Sequence, residues 1–471
     1  MRNFALIVIV IISTNQVGGQ LIRYTLSSTS TTVSALIDMF YQLPIFSGPF
    51  RVAEEIISSG RGAITGAITS LSGTVIHALG GHLPTLINKT ILKHFDDIVA
   101  DYHAGLGNED ITLSIEKIIE KYNHKVEKHF VTTEDQYCLT LFRIPNKGPA
   151  VFLMHGLLGS SDDFVVAGPE GGLAFLLARE GYDVWMGNAR GNKHSKQHLI
   201  LNPSDAIFWD FSWHEIGYYD LPAMIDYVLS SKNTSSLKYI GYSQGTTTFF
   251  VMTSERPEYN EKISAMIALS PVAFMTKVRS PIVRLFTPGT PLIYYITKIF
   301  GIHEFLPDNN VIRSLKFLLC GTLPLAEILC SNVIFLFTGF GYEQLNVTNL
   351  PVLYGHMPAG ASVKQIVHFG QGTMSGDFKM FDYGYFNLKL YGNKEPPHYH
   401  LYKVVTPVYL FYSDEDWLAH PDDVEKLYSS LGNAKEMYKV PFEPFTHVDF
   451  IWGKDVKTLI YEKLKTILLT H

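Results

Sequence analysis

A mainly parallel α/β fold is predicted by three observations. From about residue 125, short apolar runs alternate with stretches of helical spacing. Most of these runs are continuously apolar, and the series is interrupted once, between Ser270 and about Tyr402. Strands apolar on both faces and separated by helices imply a parallel sheet covered on both sides. Ligands in such sheets bind at the carboxyl ends of strands, so the chemistry is to be sought there.

The elements follow in order. Residues 129–133 and 136–143 alternate polar and apolar side chains around Glu134-Asp135, the pattern of a hairpin. Strands are predicted at 150–154, 182–186, 238–242, 265–269 and 406–412, with a last one at 434–440. Helices are predicted at 172–179, 213–229, 244–254, 421–431 and 457–469. The interruption holds apolar helical stretches and many prolines but no strand series, so residues 273–402 read as a cap inserted between two core strands.

The start of the chain has a different texture. Arg2 precedes an unbroken apolar run at 4–12, and Val17-Gly18-Gly19 supplies small residues where cleavage is expected, so residues 1–19 read as a signal peptide. The run is shorter than the roughly 20 apolar residues needed to span a bilayer. Sequons at Asn88, Asn233 and Asn346 agree with passage through the secretory pathway, and the mature chain is expected to be secreted or lumenal, with the lysosome as the alternative. Residues 20–110 form a Ser/Thr/Gly-rich extension; helical spacing at Ile64, Ile68, Leu71, Val75 and Leu79 is weakened there by many glycines.

Composition narrows the function. In 471 residues, 38 Lys plus Arg stand against 44 Asp plus Glu, a net charge of −6, which offers no electrostatic footprint for nucleic acid. Three cysteines make neither a disulfide framework nor a zinc pattern. The charged fraction, 17%, lies below the roughly 25% of an average soluble domain, and 13% of residues are aromatic. An enzyme, a membrane-associated protein or a lipid handler remains.

Chemistry enters at the strand ends. Gly241-Tyr242-Ser243-Gln244-Gly245 follows the strand at 238–242 and opens a helix, the context required of a G-x-S-x-G nucleophile elbow. A serine hydroxyl needs a base, itself oriented by a carboxylate, and in this arrangement the order along the chain is Ser, acid, His. After the strand at 406–412 three acids compete, Asp414, Glu415 and Asp416; Asp416 is preferred because it stands just before the helix-opening segment, with Asp414 second. His447 is the base candidate, being the only histidine after the last strand besides the terminal His471; His420 is the poorer choice. An oxyanion needs preorganised N–H donors, which places Gln244 and Leu157 in that role, the latter in His155-Gly156-Leu157-Leu158. His155 reads as a residue that fixes this loop.

These segments resemble the acid lipase family of α/β-hydrolases, the group of gastric lipase and lysosomal acid lipase, over about residues 111–471. The resemblance is carried by His129-Phe130-Val131-Thr132-Thr133-Glu134-Asp135, Arg143-Ile144-Pro145, His155-Gly156-Leu157-Leu158, Gly187-Asn188-Ala189-Arg190-Gly191-Asn192, Tyr219-Asp220-Leu221-Pro222-Ala223 and His447-Val448-Asp449-Phe450-Ile451-Trp452. It implies an α/β-hydrolase fold with a mainly parallel central sheet and an inserted helical cap. It also implies Ser243, Asp416 and His447 as triad, Leu157 and Gln244 as oxyanion donors, and lipid substrate met at a lipid–water interface. A mobile lid is implied at about 303–340, where charge is sparse between Leu306 and Phe340. The family's lid disulfide would fall to Cys320 and Cys330, one residue further apart than its pattern; free thiols are the other reading, and Cys138 is expected as a small buried strand residue.

The chain departs from the family in three places. Tyr242 stands where histidine is frequent, implying a different pH optimum or substrate fit. Ser413-Asp414-Glu415 replaces a glycine-containing turn, and the extension at 20–110 has no counterpart. The expected activity is ester hydrolysis of triacylglycerol or cholesteryl ester without metal or organic cofactor. A short-chain carboxylesterase, or a non-catalytic lipid carrier on the same fold, is the alternative.

Overall fold

The computed structural model describes residues 104–308, 337–339 and 341–471. All lie in the second of two units into which the chain divides, Tyr102–His471. The signal segment, Asn88, Cys320, Cys330, most of the extension and most of the expected lid lie outside the described residues.

Eight strands follow one another in the order β1-β2-β4-β3-β6-β7-β10-β11 across a single sheet. They are β1 (Glu127–Thr132), β2 (Tyr137–Ile144), β3 (Ala150–Met154), β4 (Asp183–Met186), β6 (Leu237–Tyr242), β7 (Ile263–Leu269), β10 (Val408–Tyr412) and β11 (Ala434–Lys439). A short β5 (Gln197–His198) pairs off this path with β2. The hairpin β1–β2 is antiparallel, as is β2–β4, and every pair from β4 to β11 is parallel. Side chains of β3 and β4 are wholly buried and all are apolar except Asp183, whose carboxylate accepts from Arg143 Nε at 2.9 Å.

The helices include α1 (Leu173–Arg179), α2 (Leu221–Lys232), α3 (Gln244–Glu255), α6 (Pro421–Ser430) and α7 (Glu462–Thr470), while α4 (Thr290–Ile299) and α5 (Val363–Ser375) lie between β7 and β10 and pack on each other. The stretches predicted as single helices at 213–229 and 457–469 each contain a π-helical turn, Ile216–Asp220 and Lys457–Tyr461, that runs into α2 and α7. Between β7 and β10 the prediction of no strands meets an exception. Glu304–Phe305 (β8) and Ala361–Ser362 (β9) form a two-stranded pair. Strands of two residues carry no periodicity for sequence to reveal.

Residues 104–110, read from sequence as the end of the extension, pack onto this unit. Asp110 is buried, accepts hydrogen bonds from Tyr122 Oη at 2.6 Å and Lys121 Nζ at 2.8 Å, and its carbonyl faces His356 Nε2 at 2.8 Å. No described helix is long and apolar enough to cross a membrane.

Register decides where the chemistry falls. Tyr242 pairs with Leu269, and Leu269 with Phe411, so the residues that follow β6, β7 and β10 emerge side by side at one edge of the sheet.

Candidate active site

Ser243 occupies the sharp turn between β6 and α3 with φ +50° and ψ −119°, a backbone conformation that a non-glycine residue holds at a cost. The turn closes only because its flanks are glycines. A Cβ on Gly245 would stand 2.3 Å from the Met154 carbonyl oxygen, and one on Gly241 2.7 Å from that of Gly245. The Ser243 N–H donates to the Leu269 carbonyl at 3.0 Å, tying the turn to the next strand.

His447 approaches from the loop after β11, its Nε2 2.8 Å from Ser243 Oγ. Its Nδ1 lies 3.0 Å from each Asp416 carboxylate oxygen. Both residues are buried, and Asp416 Oδ1 also accepts the N–H groups of Leu418 and Ala419 at 2.9 Å each. Burial works to raise the Asp416 carboxyl, but the facing imidazole of His447 and the hydrogen bonds it receives hold it below its ordinary value. The rival carboxylates are turned away: Asp414 pairs with Lys439 and Glu415 lies 4.0 Å from Arg279, all half exposed. His420 caps α6, its Nδ1 accepting the Asp422 N–H at 3.2 Å. A serine hydroxyl in reach of an imidazole whose other nitrogen faces a buried carboxylate has the geometry of an activated nucleophile.

Leu157 and Gln244 lie where β3 and β6 end, in register through Met154 and Gly241. Among the described residues, neither backbone N–H has a hydrogen-bond partner. Free donors at a helix N-terminus and in a glycine-containing loop suit a developing oxyanion. The loop is fixed as expected by His155, which is buried. Its Nε2 accepts the Ala189 N–H at 3.1 Å, so Nδ1 carries the proton that faces the Gly156 carbonyl at 2.7 Å. Burial depresses its pKa to about 4, keeping it neutral.

Several supports escaped the reading of single motifs. Arg190, fully buried, binds Asp220 through Nε at 2.7 Å and Asp135 through its two Nη atoms at 2.6 and 2.8 Å. Three separated motifs are thus one ionic cluster, buried at Arg190 and Asp220 and half-buried at Asp135. Asp449 accepts the Thr446 N–H at 2.6 Å and its hydroxyl at 2.8 Å, bracing the turn that carries His447. Burial pushes its carboxyl up to about 7. Tyr242, the family departure, donates its hydroxyl to the His447 carbonyl at 3.1 Å. Ser270, directly after β7, belongs to none of these motifs. Its Oγ lies 2.6 Å from His447 Nδ1 and hydrogen-bonds Asp416 Oδ2. A serine at a strand end leaves no distinguishing sequence signal.

A family model for a partial α/β-hydrolase lipase region matches residues 115–168, and one for the α/β-hydrolase fold matches residues 149–296. Lipase 1 of Drosophila melanogaster is 43% identical over 363 residues, covering 76% of this chain and 80% of that protein. Lipase 3 of the same organism is 45% identical over 356 residues, covering 74% and 90%. Gastric triacylglycerol lipase of Bos taurus is 36% identical over 373 residues, covering 77% and 92%. A crystal structure from Sulfolobus solfataricus aligns with TM-score 0.51 at 13% identity over 73% of this chain and 93% of that one, a likeness of fold.

Proposed function

The chain belongs to the acid lipase family of α/β-hydrolases and is a carboxylic ester hydrolase, and on that premise we propose that it cleaves neutral lipid esters through Ser243, His447 and Asp416. The observation that carries this reading is the hydrogen-bonded chain from Ser243 Oγ through His447 to Asp416 at the strand ends. Ser243 Oγ attacks the ester carbonyl while His447 Nε2 takes its proton. Asp416 holds the Nδ1–H and stabilises the imidazolium. The tetrahedral oxyanion is received by the N–H groups of Leu157 and Gln244. His447 then hands its proton to the departing alcohol. Water, deprotonated by the same nitrogen, releases the fatty acid and restores the serine. None of these steps calls on a metal or organic cofactor.

Triacylglycerol is the favoured substrate because a relative at 36% identity is a gastric triacylglycerol lipase. Contact with a lipid surface is supported by the interval between β7 and β10, proposed as the cap. Leu285, Phe286, Leu292, Tyr295, Ile299 and Phe300 are exposed there on two consecutive helical segments, Pro281–Phe286 and α4. The proposed lid, 303–340, has described flanks that are anchored. Glu304–Phe305 pairs with β9, and the Thr338 carbonyl accepts the Trp417 and His447 N–H groups at 3.3 and 3.4 Å. Passage through the secretory pathway is supported by exposed Asn233 and Asn346 as glycosylation sites.

Labelling with a fluorophosphonate tests the mechanism: wild type is expected to label, and Ser243→Ala to fold and not label. Hydrolysis of emulsified long-chain triacylglycerol against a soluble short-chain ester tests the substrate. Preference for the soluble ester would move the assignment to a carboxylesterase, and absence of labelling in folded protein would move it to a carrier.

A further inference from the structure

Ser270 is the first residue after β7, wholly buried, and its φ is +50°. Serine does not favour that region, and a position needing only a turn would be better served by glycine. The conformation is held on both sides: the Ser270 N–H donates to the Phe411 carbonyl of β10 at 2.9 Å, and the side chain enters the space between Asp416 and His447. Strain at a fully buried residue pointing into an active site invites a functional reading.

The hydrogen-bond inventory sharpens it. His447 Nε2 must be free to take the Ser243 proton, so Nδ1 carries the hydrogen. That N–H meets Asp416 Oδ1 and Oδ2 at 3.0 Å each and Ser270 Oγ at 2.6 Å. The two carboxylate oxygens are unequally served. Oδ1 also receives the Leu418 and Ala419 N–H groups, whereas Oδ2 has, among the described residues, only the Ser270 hydroxyl besides the imidazole. With its proton given to Oδ2, Ser270 Oγ is left with lone pairs directed to the Nδ1–H, and a closed triangle results.

We propose that Ser270 is a positioning residue of the catalytic apparatus, whose hydroxyl locks the Asp416 carboxylate and the His447 imidazole into one orientation and one tautomer. It touches neither substrate nor Ser243 and acts through the two residues it bridges. A charge-assisted hydrogen bond in a dry site is among the stronger ones, so its loss should be visible in the rate. The inference rests on the triad assignment above.

The test compares Ser270→Ala with Ser270→Gly in the full chain, on a soluble ester that needs no lipid surface. Glycine removes the hydroxyl and relieves the positive φ, so it separates the two roles the residue has. Both variants are expected to lose about tenfold in kcat with KM unchanged, while the glycine variant melts no lower than wild type. The pH profile of kcat/KM should shift, because the Asp416 carboxylate that has lost a donor faces His447 with more of its charge. In a cycle with Asp416→Asn, the Ser270→Ala effect should nearly vanish, since the two act as one unit. A Ser270→Gly variant with wild-type kcat and pH profile, or additive losses in the cycle, would overturn the proposal. Wild-type labelling by fluorophosphonate and its absence in Ser243→Ala report separately on the triad itself.

Discussion

The Leu158 carbonyl accepts the Ala359 N–H at 2.7 Å, joining the loop that carries Leu157 to a segment lying between β7 and β10. Leu158 holds φ +62°, so the contact is made by a backbone already held away from its preferred conformations. Beside it, Asp162 receives His194 Nε2 and His356 Nδ1 at 2.7 Å each and Lys193 Nζ at 2.6 Å, and Lys193 also donates to the His356 carbonyl at 2.9 Å. Lys193, which pairs with Asp162, also donates its N–H to the Ala359 carbonyl at 2.8 Å, so the carboxylate braces the segment that holds the loop of the proposed oxyanion donor Leu157.

Asp162→Asn should therefore affect both stability and rate. Removing its charge leaves the half-buried Lys193 without a full partner, a loss of at most about 3–5 kcal/mol, the figure for fully buried pairs. The lysine and the two histidines beside it hold the Asp162 carboxyl well below its ordinary value against the effect of burial. Its stabilising contribution is present above the unfolded carboxylate pKa and lost as pH falls through the folded one. Urea unfolding at neutral pH should show a lower midpoint, and kcat on a soluble ester should fall as Leu157 shifts.

Substitution of the two rival acids gives opposite expectations. Asp416→Asn should lower kcat by about 10³–10⁴-fold with KM little changed, because the amide no longer selects the tautomer that leaves Nε2 free. Asp414→Asn removes an exposed pair with Lys439 and should leave kcat within about twofold and the melting temperature essentially unchanged. Steady-state kinetics on the two purified variants decides between them.

The contrast explains what was legible. Place in a turn favours Asp416 over Asp414; burial between two backbone N–H groups and an imidazole is what separates them physically, and no turn pattern contains that. Ser243 and His447 were readable because strand, turn and helix must follow one another in fixed order for their side chains to meet. Arg190, Asp220 and Asp135 appeared as three separate motifs, since only the folded register makes them one cluster. Ser270 had no signal because its role lies in two contacts with Asp416 and His447, both more than a hundred residues away in sequence. The core strands were recoverable because burial of both faces writes itself into every residue of β3 and into three of the four of β4, whereas two-residue β8 and β9 write almost nothing.

Two buried carboxyls, opposite in sign to Asp162, contribute stability that is greatest in acid. Burial pushes Asp163 up to about 8, helped by the neighbouring Asp162, and Asp449 up to about 7. Folding pKa values above the unfolded ones mean that the native state binds the extra protons. Their contribution is complete below about pH 4 and is lost as pH rises through 7 and 8. The slope is about −1.4 kcal/mol per pH unit for each such group between those limits. Asp163→Asn, which keeps the shape without the charge, should flatten the fall of melting temperature between pH 6 and 9. An unchanged slope would mean that Asp163 ionises freely in the folded protein.

The exposed helical face should govern action on emulsions and nothing else. Leu292, Tyr295 and Ile299 recur along one side of α4, and Phe300 follows directly, all more than half exposed. They lie outside the hydrogen-bonded site, so replacing them with serine leaves Ser243, His447 and Asp416 undisturbed. Exposed apolar side chains contribute little to folding, and each one transferred into lipid gains about 1.5–3 kcal/mol when fully buried there. The triple variant Leu292→Ser, Ile299→Ser, Phe300→Ser should keep wild-type kcat/KM on a dissolved short-chain ester and lose tenfold or more in rate on emulsified triacylglycerol, an estimate of about one full side-chain burial. Adsorption of the Ser243→Ala protein to emulsion droplets, with and without these changes, should weaken in parallel. Equal loss on both substrates would instead place this face in the fold of the site, and loss on neither would leave lipid contact to another part of the surface.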